Sequence, residues 1–269
     1  MKLSRTFVAF AFLMFFIASK GYSQTISIAE GYLQQAENFK KDLKSDSALA
    51  YYEKASADFQ KLGKEEKFIH AATQAGIILT RQDQYEKAKN YLQEALSVGL
   101  SLPDTNNLLI ATTYISLGVV CSAETEYDQS LNYHNKALAI RLLKLGENNA
   151  DVAISYGNIG NVYLRKKDFQ KSIDAHLKAM KIREKLFGDK SPEIAESYTG
   201  LGNAYRELKE YQNSLTYFEK ALQNKIAQRG KDHKDLVRYY KNASDVYYLT
   251  GNQSQGDSYK AKADEITKR

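Results

Sequence analysis

The sequence predicts an all-α protein, a right-handed α-solenoid of about six antiparallel helix-turn-helix repeats, and three observations lead to that prediction. The chain of 269 residues superposes on itself at an offset of 42 residues. Small and large apolar residues recur within each period at helical spacing. The two prolines, Pro103 and Pro192, both fall between predicted hairpins, where a missing backbone N–H breaks no helical hydrogen bond. Repeats of this kind bury their apolar faces against one another.

The first 23 residues predict a signal peptide. Lys2 and Arg5 precede an apolar run over residues 7–18, and the small residue Ser23 stands immediately before an expected cleavage site. The run is shorter than the roughly 20 residues that a membrane-spanning helix needs. We therefore expect an exported protein, periplasmic or secreted, with no stable membrane span after cleavage. An uncleaved N-terminal anchor is the alternative that this pattern leaves open.

Charge and cysteine content narrow the classes of partner. The formal net charge of +6 falls to +3 when Lys2, Arg5 and Lys20 leave with the signal peptide. A strongly basic surface is the main sequence sign of nucleic-acid binding, so we expect no nucleic-acid partner. Cys121 is the single cysteine, which excludes an intramolecular disulfide and leaves the compartment undecided.

The 42-residue period aligns glycine, tyrosine and alanine along the chain. The residues in register are Gly76, Gly118, Gly160 and Gly202; Tyr114, Tyr156, Tyr198 and Tyr240; and Ala95, Ala137, Ala179, Ala221 and Ala263. Within one period, Tyr156, Gly160 and Tyr163 share a face of a first helix. Gly160 and Ser172 are small enough to let that helix approach a second, antiparallel helix. The pattern predicts one helical hairpin in each period.

These residues resemble the tetratricopeptide repeat, whose signature sets Leu-Gly, Tyr, and then small and aromatic residues at fixed offsets. The last strong copy reads Tyr198, Leu201, Gly202, Tyr205, Ser214, Phe218 and Ala221. The period of 42 residues is similar to that of kinesin light chain repeats, as are the segments Ala137–Arg141, Leu145-Gly146 and Asp151–Ala153. The resemblance implies a helical array and a binding function, and it implies no particular cargo.

We predict the signal peptide at residues 1–23 and the repeat array at residues 24–269. The repeats cover approximately residues 28–61, 69–102, 111–144, 153–186, 195–228 and 237–267. The last repeat departs from the pattern at Ser244, Gln253 and Lys260. These changes predict the polar outer face that is typical of a terminal capping repeat.

No arrangement of residues typical of a catalytic or metal site is recognised, so we expect a protein that is not an enzyme and holds no metal or cofactor. His134 and His176 are 42 residues apart and stand where the repeat signature has Phe. Packing is the preferred interpretation for both. Cys121 stands where later repeats carry tyrosine, which predicts a buried thiol.

Function in such arrays resides on the concave surface formed by the first helix of each repeat. Helical spacing places the candidate binding residues there: Asn158, Asn161, Arg165, Asn203, Arg206, Arg238, Lys241 and Tyr248. Asn161 and Asn203 are one period apart, so their amides can hydrogen-bond the main chain of an extended peptide while the basic residues meet carboxylates. The alternative interpretation is an ordinary solvated helix face.

The sequence therefore predicts an exported, non-enzymatic scaffold that binds a peptide segment or protein partner in this groove. An alternative is the extracytoplasmic sensory or input module of a bacterial signalling system that acts through a separate partner. The oligomeric state stays open, because apolar residues at the ends of an array can also bind a second copy.

Overall fold

The computed structural model describes the backbone of residues 5–268 and the side chains of residues 22–268. Most of the predicted signal peptide, residues 1–23, therefore lies outside the described side chains, and residues 1–4 lie outside the described backbone. Among the helices in the described range, none combines the length and the apolar character that crossing a bilayer requires.

The regular structure of the described residues is entirely helical. The α-helices are α1 (Arg5–Lys41), α2 (Ser45–Lys61), α3 (Glu65–Arg81), α4 (Tyr85–Ser101), α5 (Leu108–Ala123), α6 (Tyr127–Leu145), α7 (Ala150–Arg165), α8 (Phe169–Phe187), α9 (Ala195–Glu207), α10 (Tyr211–Arg229), α11 (Val237–Leu249) and α12 (Gln253–Lys268). A short 3-10 helix, Lys234–Leu236, precedes α11. The predicted all-α fold of consecutive helix pairs is confirmed.

The chain divides into two compact units, residues 1–120 and residues 121–269. In the first unit, α1 packs on α2 and α3 on α4 as hairpins, and α2 also packs on α3. The core of this unit contains Tyr52, Phe59 and Ile69, each with no exposed surface. Burial of these large side chains is the main force that holds the two hairpins together.

In the second unit, α7 and α8, α9 and α10, and α11 and α12 form hairpins, and each second helix packs on the next first helix. Helix α7 also contacts α9, so the first helices of neighbouring hairpins lie side by side. One core cluster contains Ile194, Leu236 and Tyr239, all fully buried. Cys121, at the start of this unit, is buried as predicted.

The turn inside each hairpin requires one residue in the left-handed region. Leu43 (59°) has this role in the first hairpin. From the second hairpin onward the residues are 42 positions apart and have positive φ: Asp83 (57°), Thr125 (65°), Lys167 (64°), Lys209 (62°) and Gly251 (75°). Five of these six are not glycine, and leucine, threonine and lysine are side chains that this region disfavours. Between hairpins, α8 ends at Gly188, whose φ of 86° and ψ of 163° only glycine adopts readily.

Close approach of the two helices in a hairpin is achieved by a glycine and a serine that face each other. The Ser214 hydroxyl on α10 donates a hydrogen bond to the Gly202 carbonyl on α9 at 2.8 Å. In the last hairpin the two residue types are exchanged, and the Ser244 hydroxyl donates to the Gly256 carbonyl at 2.8 Å. Ser244 is therefore buried, which corrects its predicted place on a polar outer face.

Two arginines link successive hairpins, and of these Arg141 is buried and Arg183 is partly buried. Arg141 on α6 donates to the Ser155 hydroxyl on α7 at 3.0 Å, and Arg183 on α8 donates to the Ser197 hydroxyl on α9 at 2.5 Å. The two contacts are one period apart. Burial lowers the pKa of both guanidinium groups, although Asp151 beside Arg141 opposes this effect. The Ile-Arg segment of the repeat thus serves packing between hairpins.

A lysine on the second helix of a hairpin covers a tyrosine on the first helix. In each pair the lysine follows the tyrosine by 22 residues, and its ammonium lies 5.4–5.8 Å from the ring centroid. The pairs are Lys54 with Tyr32, Lys178 with Tyr156, Lys220 with Tyr198, and Lys262 with Tyr240. This distance is that of a cation–π contact. The lysine stem also shields the ring from water.

Candidate functional site

A recess with a volume of about 380 Å³ opens where α7 and α9 lie side by side over α8. We call it the amide recess, and its lining residues are Ile154, Gly157, Asn158, Asn161, His176, Arg183, Glu196, Thr199, Gly200 and Asn203. Its volume lies within the range of ligand pockets in proteins. Three of the eight predicted binding residues, Asn158, Asn161 and Asn203, lie here together.

The three asparagines present amide groups that the fold does not use. Asn158 and Asn161 come from α7, and Asn203 comes from α9. Within the described part of the chain, no hydrogen bond is formed by any of these three side chains. Each amide offers two donors and one acceptor, which matches the alternating groups of a peptide main chain. Thr199 differs, because its hydroxyl already donates to the Ala195 carbonyl at 2.9 Å.

His176 reaches the amide recess from α8, behind the two first helices. A β-carbon built on Gly200 would stand 2.5 Å from both ring nitrogens, and one built on Gly160 would stand 2.7 Å from Nε2. The imidazole therefore fits only because both neighbours are glycine. It is 2% exposed, and neither nitrogen has a hydrogen-bond partner among the described residues. Burial, with a contribution from Arg183, lowers the pKa of His176 to about 4, so the ring is neutral.

Two charged side chains line the amide recess, and they are held differently. The Glu196 carboxylate accepts hydrogen bonds from Arg238 at 2.5 Å and from the Tyr239 hydroxyl at 3.2 Å. Arg183 donates through Nη1 to Ser197, while its Nη2 points toward Gly157. The Glu196 carboxylate is thus paired through Oε1, and its charge also opposes the effect of burial on the pKa of Arg183. The Arg183 guanidinium keeps free donors beside the recess.

A second recess, of about 530 Å³, lies where α10 meets α11. We call it the basic recess, and its lining residues are Lys225, Lys234, Asp235, Val237, Arg238, Tyr239 and Lys241. Arg238 stacks on Tyr239, with its guanidinium carbon 4.6 Å from the ring centroid. Burial and the Glu196 carboxylate raise the pKa of Tyr239 to about 12. Arg238 is paired with Glu196, and the three lysines still exceed the one lining carboxylate, Asp235, which makes this surface suited to an anionic partner.

The structure thus places Arg238 and Lys241 together, with Glu196 joining the two recesses through its ion pair with Arg238. Three predicted residues lie in neither. Arg165 donates to the Ser122 carbonyl at 3.3 Å. Arg206 is paired with Glu207 at 3.3 Å. The Tyr248 hydroxyl donates to Asp257 at 2.8 Å, and its ring packs over Gly256.

The predicted binding residues do not include the other seven residues that line the amide recess, and three of the seven determine its chemistry: His176, Arg183 and Gly200. His176 is buried as the packing interpretation predicts, but it also lines the recess. A sequence signal for Gly200 does exist. The positions one period before and after Gly200 hold Asn158 and Asn242, so this repeat lacks the side chain that its two neighbours have at the same position.

Comparison with known proteins gives a family and several structural neighbours. The family model for the tetratricopeptide repeat matches residues 68–142, 151–227 and 200–255. A comparison with curated proteins gives no match.

Many solved structures resemble the chain, among them the following three. BtubC (BKLC) from P. vanneervenii is 17% identical, with a TM-score of 0.68 and 91% of each chain covered. A Podosopora anserina protein with kinesin light chain TPR-like repeats is 12% identical, with a TM-score of 0.64, over 74% of this chain and 94% of that chain. The apo form of RapI is 17% identical, with a TM-score of 0.63, over 89% and 97%. At these identities the likeness shows the fold alone.

Proposed function

This chain belongs to the tetratricopeptide repeat family, whose fold is that of a protein–protein interaction scaffold, and we propose that it binds an extended segment of a partner protein along α7, α9 and α11. In this proposal the asparagines of the amide recess bind the main chain of the segment. Arg238 and Lys241 of the basic recess attract its acidic side chains. No chemical step is involved, and the role of the site is recognition.

The observation that carries the proposal is the set of unused amides at Asn158, Asn161 and Asn203. A polar group that a fold orders but does not pair is available to a ligand at little cost, because water is the only partner it loses. Backbone recognition by amides also tolerates sequence variation in the segment. The basic recess then adds charge selection, which acts on the association rate and on specificity.

The test is a selection of random dodecapeptides against the purified full chain, followed by fluorescence anisotropy of the selected peptides. The double variant Asn161→Ala with Asn203→Ala should weaken binding about 30-fold, since two hydrogen bonds of about 1 kcal/mol each are lost. The matched control is Asn132→Ala with Asn213→Ala, which removes two exposed amides from the second helices α6 and α10. Equal affinities for the two double variants would refute binding through these amides.

We also propose that the protein is exported, on the sequence features of residues 1–23. The test is mass spectrometry of the chain recovered from fractionated bacterial cells. Cleavage after Ser23 predicts a mature N-terminus at Gln24 in the periplasmic or extracellular fraction. An intact N-terminus in the cytoplasmic fraction would overturn export.

A further inference from the structure

One position of the first helices is occupied by asparagine in two hairpins and by glycine in the hairpin between them. Asn158 on α7 and Asn242 on α11 stand one period before and after Gly200 on α9. A β-carbon at position 200 would overlap the His176 ring, with both ring nitrogens at 2.5 Å. The His176 ring therefore takes the volume that a side chain at position 200 would fill, and it lines the amide recess beside this glycine.

The imidazole at this point lacks the partner that a buried polar ring normally has. Neither nitrogen of His176 is hydrogen-bonded within the described residues, although the residue is only 2% exposed. Buried polar groups are paired in the great majority of cases, and an unpaired one requires an explanation. A ligand group in the amide recess, which His176 lines, would supply a missing hydrogen bond.

The donors around this space favour an anionic group. A neutral imidazole carries one N–H, the Arg183 guanidinium has Nη2 free, and the Asn161 and Asn203 amides offer N–H groups. The Glu196 carboxylate accepts from Arg238 and Tyr239 through Oε1. A lysine side chain would meet the Arg183 charge, and an apolar side chain would leave the His176 nitrogens unpaired.

We propose that the amide recess is a specificity pocket for one acidic side chain, Asp or Glu, of the bound segment. Its carboxylate accepts hydrogen bonds from His176 and Arg183 while the asparagines hold the adjacent main chain. This inference rests on the proposed function and names the residue class that the site selects. His176 is then a specificity-determining residue as well as a packing residue.

The experiment is a selection of random nonapeptides by mRNA display against the purified full chain, run in parallel on three forms. They are the unchanged chain, His176→Phe and His134→Phe. Phenylalanine is the matched replacement because Phe218 stands one period after His176 and packs in the same way against Gly202. His134→Phe is the control, because His134 stands one period before His176. The residue 24 positions after His134 is Asn158, whereas the residue 24 positions after His176 is Gly200.

The expected result is a consensus with one fixed acidic position for the unchanged chain and for His134→Phe. The preference at that position should weaken in the His176→Phe selection while the rest of the consensus persists. For a selected peptide, changing the acid to its amide should weaken binding about tenfold or more in the unchanged chain, as for loss of a hydrogen bond to a charged group. The same change should have a clearly smaller effect in His176→Phe, where only Arg183 still donates to the carboxylate.

Other outcomes separate this inference from the proposed function. Peptides selected without a fixed acid, or with an acid that is equally preferred in His176→Phe, would overturn the specificity pocket and leave groove binding intact. Failure to select any peptide would overturn the proposed function and the pocket together. If His176→Phe does not fold by circular dichroism, His176→Leu replaces it, because Leu92 is the equivalent residue packed against Gly76.

Discussion

Acidification should destabilise the second unit because two histidines are buried there in the neutral form. Burial lowers the pKa of both His134 and His176 to about 4 from an ordinary value of 6.5. Between these two pH values the unfolded chain binds a proton at each position and the folded chain does not. Stability is therefore at its full value above about pH 6.5 and falls as the pH is lowered toward 4.

The size of the loss follows from the pKa difference. One pKa unit corresponds to about 1.4 kcal/mol, so each histidine should cost about 3 kcal/mol when protonation of the unfolded chain is complete. Together these losses approach the total stability of an ordinary domain, about 5–15 kcal/mol. Carboxylates with lowered pKa, such as Asp168, add to the acid sensitivity, but they are present in every variant.

The assay is urea unfolding followed by circular dichroism at about pH 7 and at about pH 4.5. His134→Phe and His176→Phe should each remove roughly 2 to 3 kcal/mol of the acid-induced loss, and the double variant should remove both contributions. At neutral pH, His176→Phe should equal or exceed the unchanged chain in stability, since it removes two unpaired ring nitrogens. If a variant loses as much stability on acidification as the unchanged chain, the imidazoles protonate without unfolding and the reasoning is refuted.

Three further changes test the fold. Gly200→Ala should cost about 1–3 kcal/mol through overlap with the His176 ring, measured by urea unfolding, and His176→Ala in the same chain should restore most of that loss. Thr125→Gly should raise the thermal midpoint and stabilise by about 1 kcal/mol, because threonine is strained at the positive φ of that turn; an unchanged midpoint would contradict this. Arg141→Met should cost about 1–3 kcal/mol in urea by leaving the Ser155 hydroxyl and the Asp151 carbonyl short of a donor, whereas a neutral effect would show that packing alone joins these hairpins.

The helical hairpins could be predicted from the sequence because packing acts on residue size at every repeat. Gly202 and Phe218, for example, meet in the hairpin as the pattern requires, since a β-carbon on this glycine would overlap the ring. The turn conformations could not be predicted in the same way. Thr125 and Lys167 occupy left-handed positions that their side chains disfavour, so only the position in the period marks them.

The binding residues were harder to predict. Helical spacing tells on which face of a helix a residue starts, but a long side chain can extend to partners away from that face. Asn161 and Asn203 are short, and they lie in the recess that their spacing predicts. Arg165 and Arg206 are long enough to find partners away from it, at the end of α5 and at Glu207. Ion pairs and contacts with helix ends determine where these arginine side chains lie. Both depend on residues that are distant from the helix face used for the prediction.

The recess arises where the chain departs from its own period, and this is a physical reason to seek function there. Positions that repeat faithfully are fixed by packing and would be the same for any partner. A histidine at the Phe position is not sufficient, since His134 shares it and position 158 beside it in the period holds asparagine. With Gly200 beside it, the His176 ring takes the volume of the absent side chain and lines the amide recess, and both ring nitrogens stay unpaired at a cost in stability. A ligand carboxylate that accepts a hydrogen bond from the ring N–H would recover part of this cost.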